Sequence, residues 1–206
     1  MKKILGITLF LLAGQLQAGL QSDINKGASI LADFQIPSHV LDQAKGVVTM
    51  SVVKGGFVFS GRIGSGLVVA NLNKGWSAPS ALGIGGAGWG WQAGAKVTDF
   101  VLVLNTQAAL NAFSGGASVT LGGSLSIAAG PVGGTAEGSI ALPPAAIFYY
   151  GRSRGVFGGA ALEGTILTSR SGANHQFYGR SISAREILSG RVPQPKSAGR
   201  LYAQLD

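Results

Sequence analysis

The 206 residues contain no cysteine, which removes disulfide staples, thiolate metal ligands and any lipid anchor carried on a cysteine. Histidine is almost as scarce. His39 and His175 stand far apart, without acidic neighbours at metal-ligand spacing, so a resident metal is not expected. Asp and Glu number only 8. A paired-carboxylate hydrolase would have to draw on Asp99, Glu137 and Glu163, but in glycine-rich, charge-poor surroundings these read more simply as partners for arginines. A Ser-His-Asp set through His175 and Asp99 is left open by chain order alone. Gly151-Arg152-Ser153-Arg154-Gly155 fits G-x-S-x-G in letters only, because a strand rather than a helix is expected after it, and Gly64-Ser65-Gly66 lacks the spacing. Nor is there an uninterrupted apolar stretch of the roughly 20 residues that a spanning helix needs. These absences point away from an enzyme and from a cofactor.

What is present begins with a leader-like segment: Met1-Lys2-Lys3, an apolar run from Ile4 to Ala13, and Leu16-Gln17-Ala18 before a small residue. It reads as a signal peptide over 1–18, cleaved after Ala18, and predicts export to the periplasm or outer envelope with peripheral membrane association. The remainder, 19–206, suits one domain, with a helical segment over 19–45, a β core over 47–180 and C-terminal helices over 183–206. Glycine supplies 34 residues and charged residues only 12%, while 46% hydrophobic content argues for close-packed strands rather than disorder. The net charge is +8. Loss of Lys2 and Lys3 with the leader leaves fourteen basic against eight acidic residues, and from Tyr150 onward eight bases face three acids. An exported basic chain meets lipid headgroups, lipopolysaccharide or wall polymers rather than nucleic acid; a solvated, solubilising surface accounts for the charge equally well.

Leu20, Ile24, Ala28 and Leu31 recur at helical spacing, which predicts a short amphipathic helix that Gly27 weakens. Pro37-Ser38 opens a second over Val40 to Lys45, with Ser38 as its cap. Strands are expected over Val47 to Val53, Gly56 to Ile63 and Gly66 to Leu72, with Gly64-Ser65-Gly66 as a turn or bulge. Arg62 in an apolar strand calls for a carboxylate or several carbonyls around it, with Asp99, Glu137 and Glu163 as candidate partners. Trp76 to Ser80 is a reversal. From Gly83 to Gly94 glycine alternates with Trp89, Trp91 and alanines at a strand's period, and the tryptophans read as core aromatics. Gly83-Ile84-Gly85-Gly86-Ala87-Gly88 fits a dinucleotide fingerprint in letters only, because no helix start and no suitably placed acid follow it. Val97 to Leu104 is a buried strand, and Thr106 to Phe113 a helix. Short strands follow over Ala117 to Leu121, Ser124 to Ala129, Gly138 to Leu142, Ala145 to Tyr150 and Val156 to Leu167, with Gly151 to Gly155 as a turn presenting Arg152 and Arg154. Ser183-Ala184-Arg185-Glu186 is a capping box, and a last helix covers Ala198 to Leu205.

The ordered set Lys54-Gly55-Gly56-Phe57, Arg62-Ile63-Gly64-Ser65-Gly66, Trp76-Ser77-Ala78-Pro79-Ser80, Thr98-Asp99, Gly130-Pro131-Val132-Gly133, Ser153 to Gly159 and Leu162-Glu163-Gly164 resembles the SYLF domain family, over about Ala28 to Gly190. The resemblance implies a lipid-binding module, with phosphoinositide recognition through a basic surface and an amphipathic N-terminal helix in eukaryotic members and actin binding in fungal ones. Two departures matter. Gly134 stands where many members carry an arginine, and export removes actin as a partner.

The expectation is therefore an α+β, mainly β fold: an antiparallel barrel-like or sandwich-like sheet of short glycine-rich strands with helices at both ends and one between strands. The expected function is non-enzymatic binding of anionic phospholipid, or of a membrane surface, through a basic face. Lys26, Lys54, Lys74, Arg152, Arg154, Arg170 and Arg180 are its candidate contacts, and no nucleic acid is involved. A small integral outer-membrane β-barrel is one alternative, since short alternating strands suit it; an envelope enzyme acting on lipid or glycan is another.

Overall fold

The computed structural model describes residues 19–56, 59–72, 74–89, 94–116, 118–121, 126–130, 145–154 and 165–206. The leader, Trp91, Glu137, Glu163 and the strand expected over 138–142 lie outside them, as does the Gly-Pro turn beyond Gly130.

The apolar period of the first segment closes into helix α1, Leu20–Phe34, which ends on Gln35 in the left-handed conformation. Helix α2 is Ser38–Gln43. Ser38 is its first residue rather than its cap, because Pro37 occupies the capping position. Four long strands follow: β1 Gly46–Gly56, β2 Phe59–Leu72, β4 Ser80–Trp89 and β5 Gly94–Leu104, with the two-residue β3 Gly75–Trp76 between β2 and β4. Helix α3, Gln107–Ser114, is capped by Thr106, whose hydroxyl accepts from the Ala109 amide. Shorter strands complete the sheet: β6 Val119–Thr120, β7 Ile127–Ala129, β8 Ile147–Arg154 and β9 Ile166–Ser169. Helix α4, Ser171–Tyr178, and the segment α5, Ala184–Glu186, lead into a π-helical turn, Ile187–Arg191. A 3₁₀ turn over Lys196–Ala198 and helix α6, Gly199–Tyr202, end the chain. The class is α+β, mainly β.

The sheet runs in the order β6-β9-β4-β2-β1-β5-β8-β7, with β3 pairing β2 at the side. All pairs are antiparallel except β7 with β8, which is parallel. Both faces are covered. On the first, Val47, Leu67, Val101, Val103 and Tyr150 pack with Leu20, Ile24 and Leu31 of α1 and Leu201 and Tyr202 of α6. On the second, Val48, Met50, Val68, Phe100 and Leu102 pack with Leu110 and Phe113 of α3 and with Leu188. Strands buried on both sides carry near-continuous apolar runs, as β1 and β5 do. Over the described residues the chain's own helices pack on both faces of the sheet and make its core two-sided.

Two sequence expectations change. Gly64-Ser65-Gly66 is no turn but the middle of β2, in register with Val52, Ser51 and Met50 of β1. A Cβ on Gly64 would overlap the Ser51 carbonyl, and one on Gly66 the Thr49 carbonyl. The glycines serve a close approach of two backbones within the sheet. Likewise Gly151 to Arg154 continues β8, paired with Val97 to Phe100 of β5, so the expected arginine-bearing turn is strand. Ladder pairing along a buried neighbour outweighs local glycine signals there.

Candidate functional site

Helix α1 crosses β1, β2 and β5 on the first face, and its contact with the sheet is polar along one row. Register places Ser65 opposite Ser51, Ser51 opposite Asp99, and Asp99 opposite Arg152, so four polar side chains cross the sheet on one face. Above them the Ser65 hydroxyl donates to Asp23 Oδ1 at 2.6 Å, and Arg170 Nη1 meets Asp23 Oδ2 at 3.1 Å. Lys26 Nζ lies 3.9 Å from Asp99 Oδ1. At the far end of the helix Arg152 Nη2 donates to the Asp33 carbonyl at 2.9 Å, and its guanidinium stands 5.4 Å over the Phe34 ring. Gly27 sits where the helix crosses β1. A Cβ there would lie 2.5 Å from Thr49 Oγ1, so this glycine sets the depth of docking rather than merely weakening the helix.

Asp23 is 4% exposed. Burial pushes its carboxyl up to about 6, against opposing contributions from the Ser65 hydrogen bond and from Arg170 and Lys26. The helical period assigns this residue to the polar side of α1, and nothing local marks it as buried. Its partners lie 42 and 147 residues away along the chain. Burial likewise raises Tyr150 to about 12 and lifts Tyr178 and Tyr202 above their usual range.

A second cluster lies on the other face. Lys54 stands directly opposite both Arg62 and Lys96, a row of three basic residues across β2, β1 and β5. Lys96 is buried, and Arg62 Nη1 donates to the Thr165 hydroxyl at 3.2 Å. Asp99, one of the carboxylates expected beside Arg62, faces α1 instead.

The Trp76 to Ser80 connection is a hub. The Tyr202 hydroxyl donates to the Ser77 carbonyl at 3.1 Å and that of Tyr178 to the Pro79 carbonyl at 2.6 Å. Asn174, fully buried, accepts from the Ala81 amide at 2.8 Å and donates to the Ser80 hydroxyl at 3.1 Å. Helix α4, which carries Asn174 and Tyr178, escapes the sequence reading, although Gly179, its left-handed cap, is a signal that could have exposed it.

The seven candidate contacts do not converge. Arg170 and Lys26 hold α1 to the sheet. Arg152 is engaged by Asp33 and Phe34, and Arg180 pairs with Glu186 at 2.7 Å. Lys54 belongs to the row on the opposite face. Arg154 is the last residue of β8. Lys74 is exposed in the turn between β2 and β3. Among the described residues no three His, Asp or Glu side chains gather where they could hold a metal, and no helix is long and apolar enough to cross a membrane. His175 is exposed on α4, on a different element from Asp99.

The family model described as Ysc84, Las17-binding protein actin regulator, matches residues 85–206. A Schizosaccharomyces pombe SH3 domain-containing protein is 47% identical over 93% of this chain and 48% of its own length. Homo sapiens SH3 domain-containing YSC84-like protein 1 is 45% identical over 92% of this chain and 59% of its own. Saccharomyces cerevisiae LAS seventeen-binding protein 3 is 43% identical over 91% and 44%. The chain spans about half the length of these curated relatives. The matched residues take in the sheet from β4 onward, α3 and the whole C-terminal segment, and on that ground the chain belongs to the Ysc84 family of SYLF-domain proteins.

Proposed function

We propose that this chain is a non-enzymatic module that docks on anionic phospholipid at a membrane surface. The observation that carries the reading is the charge of the exposed surface. Among the described residues Lys45, Lys74, Arg185, Arg191, Lys196 and Arg200 are exposed without an acidic partner and form the surface in question, whereas the exposed Arg152 and Arg180 are paired with Asp33 and Glu186; the exposed acids are Asp33, Asp42 and Asp206. Each base near an anionic bilayer contributes about 1 kcal/mol, so a few together give reversible, salt-sensitive docking. Family membership supports a binding role. The relatives' names speak of SH3 domains and of Las17 binding, and none describes a reaction.

The charged, apolar and small-residue order of 1–18 supports an exported protein acting peripherally in the cell envelope, where actin is not a partner. Helix α1 has its apolar face against the sheet, so in this conformation it contributes packing; the docking reading rests on the exposed bases alone. Co-sedimentation with neutral and anionic liposomes across a salt series tests the proposal, with actin filaments as a second arm. Binding selective for anionic vesicles that fades with salt is expected. Filament binding without vesicle binding would replace the membrane reading with a protein-partner one.

A further inference from the structure

The C-terminal segment is a strap pinned at short intervals. Ile182, Ile187 and Val192 pack with Ala78, Leu188 enters the core on the second sheet face, and Ala198 and Leu201 enter the core on the first. It therefore passes from one side of the sheet to the other over the connection from β2 to β4. Two contacts fix its position there. A Cβ on Gly190 would meet the Leu72 side chain at 2.6 Å, and the Gln194 amide donates to the Trp76 carbonyl at 2.6 Å. Lys74 lies between Leu72 and Trp76, and Arg191 between Gly190 and Gln194, so the two bases flank one crossing, with Lys196 two residues further along the strap.

All three are exposed, and among the described residues no carboxylate pairs with them. Glu186, the one acid between Gly179 and Arg200, is taken by Arg180. The acids Asp42 and Asp206 line a separate cleft of about 330 Å³ with Leu31, Ile36 and Leu41. Charge is thus segregated, with bases that have no acidic partner among the described residues on a backbone pinned at one crossing, and the acids Asp42 and Asp206 elsewhere.

We propose that Lys74, Arg191 and Lys196 form the docking surface of this module, and that its partner is the anionic headgroup layer of a bilayer. This rests on the lipid-binding reading above and names the place where it acts. Fixed, exposed point charges without local counterions retain their attraction for an external anionic plane, whereas Arg152 and Arg180 already have partners within the protein. The backbone that carries them is already held, so docking has only their side chains to order.

The test uses the full chain, its Lys74→Ser/Arg191→Ser/Lys196→Ser variant and an Arg152→Ser variant. Each is sedimented with vesicles of phosphatidylcholine alone and of phosphatidylcholine with phosphatidylglycerol in equal parts, and thermal melts show that each variant is folded. The expected result is binding of the parent chain to the mixed vesicles only, a loss of more than about ten-fold in the triple variant with a shallower salt dependence, and near-parental binding for Arg152→Ser. Equal binding by the triple variant and the parent would overturn the strap surface while leaving lipid binding intact. A parent chain that binds neither vesicle would defeat the lipid reading itself.

Discussion

Arg170 and Arg191 are the same residue type on the same C-terminal third of the chain, and the structure uses them in opposite ways. Arg170 is largely buried, shared between the end of β9 and helix α1, with Asp23 at 3.1 Å. Arg191 stands on the strap, exposed and without a carboxylate partner among the described residues. The difference teaches that a basic excess does not locate a binding surface. Bases that meet a buried carboxylate become internal struts, and those left over at a fixed surface position are free to meet something outside. Substitutions at the first interface should appear in stability, and those at the second in binding.

The largest effect is expected from Arg170→Ala. It leaves Asp23 buried beside Ser65 without its guanidinium, and above about pH 7 it should cost about 3 kcal/mol in urea denaturation, shrinking as pH falls and Asp23 takes up a proton. A loss no larger than that of Arg180→Ala, an exposed pair in the range of 0 to about 1 kcal/mol, would show that the buried strut is not one.

Nearly as large is the pH dependence of the parent chain. The Asp23 carboxyl titrates near 6 in the folded protein and near 3.8 when unfolded. Between those values the folded state holds a proton that the unfolded state has released, so this group's contribution is full below 3.8 and is lost as pH rises through 6. Stability should accordingly rise by up to about 3 kcal/mol as pH falls from 7 to 4. Asp23→Asn should flatten that rise; a variant with the parental slope would assign the effect to another group.

Gly27→Ala sharpens the same interface by sign. Helix propensity alone favours alanine by about 1 kcal/mol, but the added Cβ meets Thr49 Oγ1 at 2.5 Å. A net loss of about 1 to 2 kcal/mol is expected from chemical denaturation, and a net gain would mean that α1 rides higher on the sheet. The smallest change in stability belongs to the strap: the Lys74, Arg191 and Lys196 serine variant should melt within about 0.5 kcal/mol of the parent for each site, although its affinity for anionic vesicles collapses.

Much of the local architecture was legible. Leu20, Ile24, Ala28 and Leu31 announce α1, the run from Thr106 to Phe113 announces α3, with Thr106 its cap rather than its first residue, and Ser183 accepts from the Glu186 amide as the capping box requires. These signals involve residues within a few positions of one another, where backbone geometry is set by short-range bonds. Gly64-Ser65-Gly66 and Gly151 to Arg154 misled for the converse reason. A glycine that permits a turn and one that permits two strands to touch look alike until the neighbouring strand is known. For the candidate contacts the sequence shows charge and not surroundings: Arg170, Lys26, Arg152 and Arg180 each have an acidic or aromatic partner that no spacing discloses.

The class, an α+β chain dominated by glycine-rich strands and without thiols, can be read from the residues alone, as can its family and its basic excess. Those properties are sums or short-range patterns, and summation needs no fold. Which bases remain available is a matter of the folded chain. That choice depends on long-range encounters, Asp23 with Arg170 across 147 residues and Gln194 with Trp76 across 118. A charge is cancelled or left exposed by what the folded chain brings beside it.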